Sequence, residues 1–225
     1  WIVPLVIILA CMTRYMDNLP LAKPNPKALA QIFSNKHTWA MTLLYTCSFG
    51  AFSGYAAALG LLVKTEFPEI PFAHIAFVGP LVSASLRPVG GWLADKINSG
   101  TKITFIGLIG LCITTVLIAV GVDMHHFDFF FGMTVLMFVS CGFVTGSTFR
   151  MIPHIFTDGL QSSLIAGFVA AVAAYGAFIT PKIFGYVYTT FGSIHPAFAV
   201  LLAFNIVTVF VCYWFYVRKA ANMNV

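Results

Sequence analysis

Arg87 stands inside an apolar run of the sequence, where a charged side chain needs a partner. Its guanidinium is planar, always charged and presents a fork of N–H donors, which suits a small oxyanion bound through two oxygens. No Asp or Glu lies within the apolar core of any long apolar segment. The missing counter-charge predicts that a small anionic ligand, or a water-filled cavity, surrounds Arg87.

Two aromatic residues precede Arg87 at a helical spacing. Tyr45 and Phe49 are four positions apart, which places them on one face of a helix. Such a pair most often packs against neighbouring helices. The alternative is an aromatic wall that shapes a cavity for a flat, weakly hydrated anion and removes water from around Arg87.

Other kinds of chemistry have little support in the sequence. The five cysteines lie in apolar runs without CxxC or Cys/His spacing, so neither a disulfide framework nor a zinc site is expected. His125 and His126 form a loop pair that is too close in sequence for helical zinc ligation. No nucleophile–base spacing appears either. We therefore expect no cofactor, no metal and no enzymatic activity.

The composition indicates that lipid replaces water around most of the chain. Hydrophobic residues make up 60% and charged residues 8% of the 225 residues, and the mean hydropathy is +0.92. A soluble domain carries about 25% charged residues. Lys and Arg are scattered over short loops, which argues against a nucleic-acid partner. The expected partner of the outer surface is the lipid bilayer.

Six apolar segments are long enough to cross a bilayer, for which a helix needs about 20 residues. They are Thr38–Val63, Phe72–Ala94, Ile103–Val122, Phe127–Phe149, Leu164–Tyr188 and Pro196–Val217. The pattern predicts an all-α membrane protein with a six-transmembrane-helix bundle. Arg87 would lie about 15 residues into its span, at roughly 22 Å depth in a ~30 Å core. A charge at that depth marks a functional site by default, unless it extends to the interface or pairs with Asp95.

Small residues and one carboxylate mark contacts between the predicted helices. Gly142 and Gly146 form a small-xxx-small pattern, and the run from Gly167 to Gly176 is rich in alanine. Ordinary helix packing and a smooth face for rocking helices both fit these patterns. Asp95 ends a helix at a basic turn, where it can cap the next helix or pair with cations across a sliding interface.

The two ends of the chain differ from the six-helix region. Residues 1–13 look like the end of a truncated transmembrane helix, 14–37 form a polar, basic connector, 38–217 form the six-helix half, and 218–225 form a tail. Such a connector is expected in transporters built from two six-helix halves, which predicts a C-terminal half with its N-terminal six-helix half missing. Lys and Arg are concentrated in the connector, between the second and third spans, after the fourth and in the tail, so we expect that side and both chain ends to be cytoplasmic. Lys64, with Lys182 as a further candidate, is assigned to the other side.

Several stretches carry a family resemblance. They are Gly-Trp-Leu-Ala-Asp-Lys at 91–96, Leu-Leu-Tyr-Thr-Cys-Ser-Phe-Gly-Ala-Phe at 43–52, Lys-Thr-Glu-Phe-Pro at 64–68, Arg-Pro-Val-Gly-Gly at 87–91, Gly-Ser-Thr-Phe-Arg-Met-Ile at 146–152 and the glycines between 167 and 185. The first resembles the cytoplasmic loop motif of the major facilitator superfamily. The others resemble the seventh, eighth, tenth and eleventh helices of its nitrate/nitrite porter family. The resemblance runs from about Trp39 to Gly185.

This resemblance implies secondary active transport of nitrate and/or nitrite across the cell (inner) membrane by alternating access. It makes Arg87 the substrate-binding arginine, held between two six-helix halves, and it places Tyr45 and Phe49 in the wall of the nitrate cavity. Gly167 and Gly176 match the glycine signature that lets the eleventh helix flex and pack.

Two other function classes stay open at this point. One is a major-facilitator porter for another small anion or an organic solute, which competition against nitrate in proteoliposomes would distinguish. The other is a non-transporting membrane sensor or assembly subunit, which a flux assay on the intact protein would distinguish. The charge of Arg87 inside a span argues against the second class.

Overall fold

A computed structural model describes residues 2–15 and 32–218 of the chain. The helices bounded within these ranges are α1 (Ile2–Tyr15), α2 (Lys36–Glu66), α3 (Val78–Lys96), α4 (Gly100–Asp123), α5 (Phe127–Ile155), α6 (Gly159–Ala174), α7 (Gly176–Phe191) and α8 (His195–Cys212). A short 3₁₀ helix, Phe72–His74, precedes α3, and a π-helical turn, Tyr213–Val217, follows α8. No β-strand occurs in the described ranges, and the predicted all-α fold is confirmed.

Polar side chains determine where several of the helices begin. The Asn35 side chain accepts a hydrogen bond of 2.9 Å from the backbone N–H two residues later, at the start of α2. Ser99 and Asp158 cap α4 and α6 in the same way, at 3.4 and 3.3 Å. Each of these bonds satisfies a backbone donor that a helix N-terminus leaves free. Gly192 ends α7 in the left-handed conformation, with φ of +67°, that favours glycine there.

Five helical segments are long and apolar enough to cross a membrane. They are Lys36–Glu66, Gly100–Asp123, Phe127–Ile155, Gly159–Phe191 and His195–Val217. The chain is therefore a multi-pass membrane protein. The remaining predicted span, Phe72–Ala94, corresponds to α3, which begins only at Val78 and is not among the five. Its three charged residues (Arg87, Asp95 and Lys96) lower its hydropathy.

The predicted span Leu164–Tyr188 is interrupted in the structure. Tyr175 ends α6 and precedes α7, so that two helices together form the segment Gly159–Phe191. Pro181 lies inside α7 and lacks the N–H that would bond to the carbonyl of Ala177. Missing hydrogen bonds of this kind are a usual cause of bends in long helices.

Helix α5 lies at the centre of the bundle. It packs along α3 and α4 and also contacts α2, while α2 packs against α6 and α7, and α8 packs against α4. The core between these helices contains fully buried side chains such as Leu44, Phe138 and Phe184. This arrangement brings one face of α2 next to the middle of α3.

The ends of the chain add little to this core. All residues of α1 are exposed. Residues 16–31 of the predicted connector, and 219–225 of the predicted tail, lie outside the described residues. The proposed boundaries at 13, 37 and 217 stay predictions.

Candidate functional site

Arg87 lies at the middle of α3, as the tenth of its 19 residues. At the helical rise of 1.5 Å per residue, it is about 14 Å from either end of the helix. The predicted depth of roughly 22 Å assumed a continuous helix from Phe72, whereas residues 72–77 form the 3₁₀ helix and a turn. The depth of Arg87 in the bilayer stays a prediction. Pro80 suits the first turn of a helix that begins at Val78, where its missing N–H is not needed.

The Arg87 guanidinium lies against two phenylalanine rings of α2. Its central carbon is 5.2 Å from the ring centroid of Phe49 and 4.4 Å from that of Phe52. Both distances are within the range of cation–π attraction. Phe52 is thus the nearer ring, although only Tyr45 and Phe49 were selected from the sequence. Its signal is the spacing of three residues from Phe49, which keeps it on the same helical face.

Two donor atoms of Arg87 remain without acceptors. Nε and Nη2 are buried and have no hydrogen-bond partner among the described residues. In a guanidinium these two nitrogens form one edge, from which two N–H bonds point in parallel. That edge matches two oxygens of a planar anion. A buried charged donor without a partner is costly, so this edge favours an anionic ligand.

Asp95 does not supply the counter-charge of Arg87. Its Oδ1 accepts a bond of 2.7 Å from Nε of Arg150 on α5. Arg150 also donates through Nη2 to the side chain of Asn98 at 3.3 Å. The carboxylate therefore joins the end of α3 to the end of α5. No ion pair reaches Arg87 within residues 2–15 and 32–218.

The aromatic residues of α2 form a continuous wall. The rings of Tyr45 and Phe49 are stacked, with centroids 5.4 Å apart and planes 9° apart. Phe149 meets Tyr45 edge-on at 4.7 Å, and Phe138 meets Phe52 edge-on at 6.1 Å. Tyr45 is buried and Phe49 is partly buried. The wall is held from behind by α5, and its Phe49–Phe52 end faces Arg87.

Gly146 contacts the backbone of α3 at Arg87 itself. A Cβ added to Gly146 would touch the Arg87 carbonyl oxygen and would lie 3.0 Å from both the Arg87 carbonyl carbon and the Gly91 nitrogen. One turn earlier on α5, a Cβ at Gly142 would lie 2.7 Å from the carbonyl oxygen of Ser83. These two glycines let α3 and α5 approach closely, and they set the position of Arg87 relative to α5.

The other two selected glycines differ from each other. Gly176 lies against the backbone of Gly50, so that no side chain fits between α7 and α2. Gly167 has no atom within 4 Å of an added Cβ, and its role in flexing the helix stays a prediction. Lys182, placed on the non-cytoplasmic side from the sequence, lies inside α7 with its Nζ 5.3 Å from the ring of Phe178. Its side of the membrane stays a prediction.

Known proteins match the chain over most of its length. A family model described as Major Facilitator Superfamily matches residues 41–225. The nitrate/nitrite transporter NarU of Escherichia coli is 28% identical over 97% of this chain and 52% of its own length. The probable nitrate/nitrite antiporter NarK2 of Thermus thermophilus is 31% identical over 98% of this chain and 51% of its own length. A nitrite extrusion protein of Bacillus subtilis is 26% identical over 82% of this chain and 46% of its own length.

These matches agree with the sequence analysis on two points. The relatives are named as transporters, and none of the names quoted above is that of an enzyme. The chain spans about half the length of the curated relatives it matches.

Proposed function

Because the chain belongs to the Major Facilitator Superfamily, we propose that it forms one six-helix half of a nitrate/nitrite transporter and that Arg87 binds the transported anion. The names of its relatives support the choice of nitrate and nitrite. The observation that carries the role of Arg87 is its donor edge, with Nε and Nη2 buried and without partners among the described residues. The nearest carboxylate on its own helix is already bound to Arg150.

The ligand geometry follows from the surroundings of the guanidinium. The Phe52 ring, 4.4 Å away, covers one side of the guanidinium, so the anion binds along the Nε–Nη2 edge. Nitrate and nitrite are planar and present two oxygens in one plane, which suits this edge. The Phe49 ring excludes water from the region around the guanidinium. The lower dielectric constant there strengthens the attraction between the anion and Arg87.

Movement is part of this mechanism. Because Nε and Nη2 are covered in the structure, an anion reaches them only after a neighbouring side chain or helix has shifted. In alternating access, this half would rock against a second six-helix half. A second arginine from that half would face Arg87. An anion bound between the two cations would reduce their repulsion and would favour closure.

The placement in the membrane is part of the same proposal. The end of α3 with Asp95 and Lys96, together with Arg150 and Lys102, would face the cytoplasm of the inner membrane. The partners would be nitrate or nitrite, the lipid bilayer and the second half of the transporter.

Replacing Arg87 with Lys in the intact transporter tests the proposal. Lysine keeps the charge but lacks the paired donors, and hydrogen bonds to charged groups are worth about 1.5–3 kcal/mol. We expect nitrate uptake into proteoliposomes to fall roughly ten- to a hundredfold. The matched control is Arg218→Lys, at an exposed arginine near the end of the last segment. Unchanged uptake by the Arg87→Lys protein would contradict the proposed role.

A further inference from the structure

A cavity of about 240 Å³ lies inside the bundle, away from Arg87. Helices α2, α4, α7 and α8 supply most of its wall, and Arg87, Phe49 and Phe52 do not line it. On α2 its lining includes Cys47 and Ala51, which flank Phe49 at two residues on either side. At 3.6 residues per turn, two residues correspond to about half a turn. The cavity and the aromatic wall therefore lie on opposite faces of α2.

Part of the cavity lining consists of polar side chains that are joined by hydrogen bonds. The Cys47 thiol donates to Oδ1 of Asn205 at 3.2 Å, and Nδ2 of Asn205 donates to the hydroxyl of Thr115 at 3.1 Å. Thr115 in turn donates to the Leu111 carbonyl at 2.7 Å. This chain joins α2, α8 and α4 across the bundle. These hydrogen bonds satisfy the side-chain amide of Asn205, which is only 6% exposed in an otherwise apolar helix.

Two hydroxyls of the same lining are left without partners. Tyr55 is 2% exposed, and its Oη lies near the Thr115 side chain but forms no hydrogen bond with a described residue. The buried Oγ1 of Thr46 also lacks a partner within the described chain. Leaving such groups unbonded costs about 1–3 kcal/mol each. Both oxygens are covered, so a ligand with one hydrogen-bonding group recovers part of that cost at one of them only after a neighbouring side chain has shifted.

The rest of the lining selects against charge. Within the part of the chain that the structure describes, no Lys, Arg, Asp, Glu or His lines the cavity, and the remaining lining side chains are mostly aliphatic. Ile179 of α7 and Val200 of α8 line it and are 48% and 52% exposed, so the cavity reaches the outer surface between these two helices. A cavity of this kind takes up apolar molecules, since even one of ~150 Å³ binds benzene. An anion would lie there without a counter-charge.

From this geometry we propose a second binding site, for a small uncharged molecule with an apolar body and a single hydroxyl or carbonyl group. The molecule enters from the bilayer between α7 and α8, and its polar group bonds with Tyr55 once a neighbouring side chain has shifted, because the Tyr55 Oη is covered in the structure. The site is independent of nitrate binding, because it uses the opposite face of α2 and none of the residues around Arg87.

The first experiment measures binding of 4-fluorobenzyl alcohol to the intact transporter in lipid nanodiscs by fluorine NMR saturation transfer. We expect saturable binding to the unaltered protein and its loss in Val200→Phe, which fills the opening of the cavity. The matched control is Val207→Phe, seven residues later on the same side of α8, at a residue that is 54% exposed and does not line the cavity. Equal signals from the two variants would mean partitioning into lipid alone and would overturn the proposal. So would the absence of saturable binding to the unaltered protein.

The second experiment tests the polar end of the site with Tyr55→Phe, which removes the hydroxyl and keeps the ring. We expect its affinity for 4-fluorobenzyl alcohol to fall about two- to tenfold. Its affinity for 4-fluorotoluene, which has no hydroxyl, should stay unchanged. Equal losses for both probes would indicate a packing defect and would overturn the role of Tyr55. Unchanged affinity for both probes would overturn it as well. Nitrate uptake, measured in parallel, reports separately on the Arg87 site.

Discussion

In the structure, the Arg87 guanidinium contacts the faces of aromatic rings rather than a carboxylate. Phe52 lies closest, at 4.4 Å, and Phe138 supports it from α5 at 6.1 Å. Phe138 is fully buried and packs against Gly79 of α3. Contacts of this kind stabilise a cation without occupying its donors, because the ring attracts through its face. Arg87 is thus held in place, while its Nε–Nη2 edge has no acceptor within residues 2–15 and 32–218.

Replacing Phe52 with Leu tests this arrangement, because leucine keeps an apolar side chain but removes the ring face. A cation–π contact is worth about 0.5–2 kcal/mol, so we expect the KM for nitrate uptake to rise roughly two- to thirtyfold. Phe52→Tyr keeps a ring face and should stay close to the unaltered protein.

The control for that substitution is Phe210→Leu, at an exposed ring on α8 that lies far from Arg87 along the chain. It should leave the KM for nitrate unchanged. A KM for Phe52→Leu equal to that of the control would show that the ring does not position Arg87.

Helices α3 and α5 meet through glycines where Arg87 is placed. Gly146 lies on the Arg87 carbonyl, Gly142 lies on that of Ser83, and a Cβ at Gly90 would lie 2.8 Å from the Phe143 carbonyl oxygen. Small residues on both helices permit this close backbone approach. Helix α3, which carries the charged Arg87, is therefore held against α5 through backbone contacts. These contacts do not use the Arg87 side chain.

Gly146→Ala should push α3 away from α5, because the added methyl group has no space against Arg87 and Gly91. Overpacking costs typically about 1–3 kcal/mol. We expect a lower Tm of the purified intact transporter and a loss of nitrate uptake. Gly132→Ala, on the same helix, is the matched control, since an added Cβ there meets nothing within 4 Å. If both variants have the same Tm and uptake, the close contact at Gly146 is not needed.

The two ends of the bundle carry different polar contacts. At one end Asp95 binds Arg150, and Lys96 and Lys102 follow Asp95 closely in the sequence. At the other end Nε2 of His195 lies 3.2 Å from Oδ1 of Asp123. Helix α4 connects the two ends with 24 residues, or about 36 Å, enough to cross a ~30 Å hydrocarbon core. The excess of basic residues at the first end predicts that it faces the cytoplasm.

Cysteine labelling tests this orientation at residues just outside α4. Ile97 and Met124 are 45% and 62% exposed, and they lie before and after the helix. In intact cells, a membrane-impermeant maleimide should label the Met124→Cys protein but not the Ile97→Cys protein. Permeabilised cells should show labelling of both. The unaltered protein with its five native cysteines sets the background. The opposite labelling pattern would reverse the proposed topology.

The amino-acid sequence by itself determined the helical, membrane-embedded class of the protein. Hydropathy and charge are sums over neighbouring residues, so they indicate spanning segments without any knowledge of packing. The bounds of the predicted segments also agree with most helix ends to within several residues, as Ile103–Val122 and α4 (Gly100–Asp123) show. Two features were not predicted: the break at Tyr175 and the start of α3, where the 3₁₀ helix at Phe72–His74 continues the apolar run without forming part of the long helix.

The tertiary structure alone decided which side chains surround Arg87. Asp95 is eight residues from Arg87 but bonds to Arg150 on another helix, and Phe52 covers the guanidinium from a third. The cavity behind α2 likewise depends on residues from several helices. Such contacts join positions that are distant along the chain, and the approach of the helix backbones at Gly146 sets their distances. The local sequence pattern does not predict how closely two helix backbones approach, because that distance depends on how the two helix surfaces fit together.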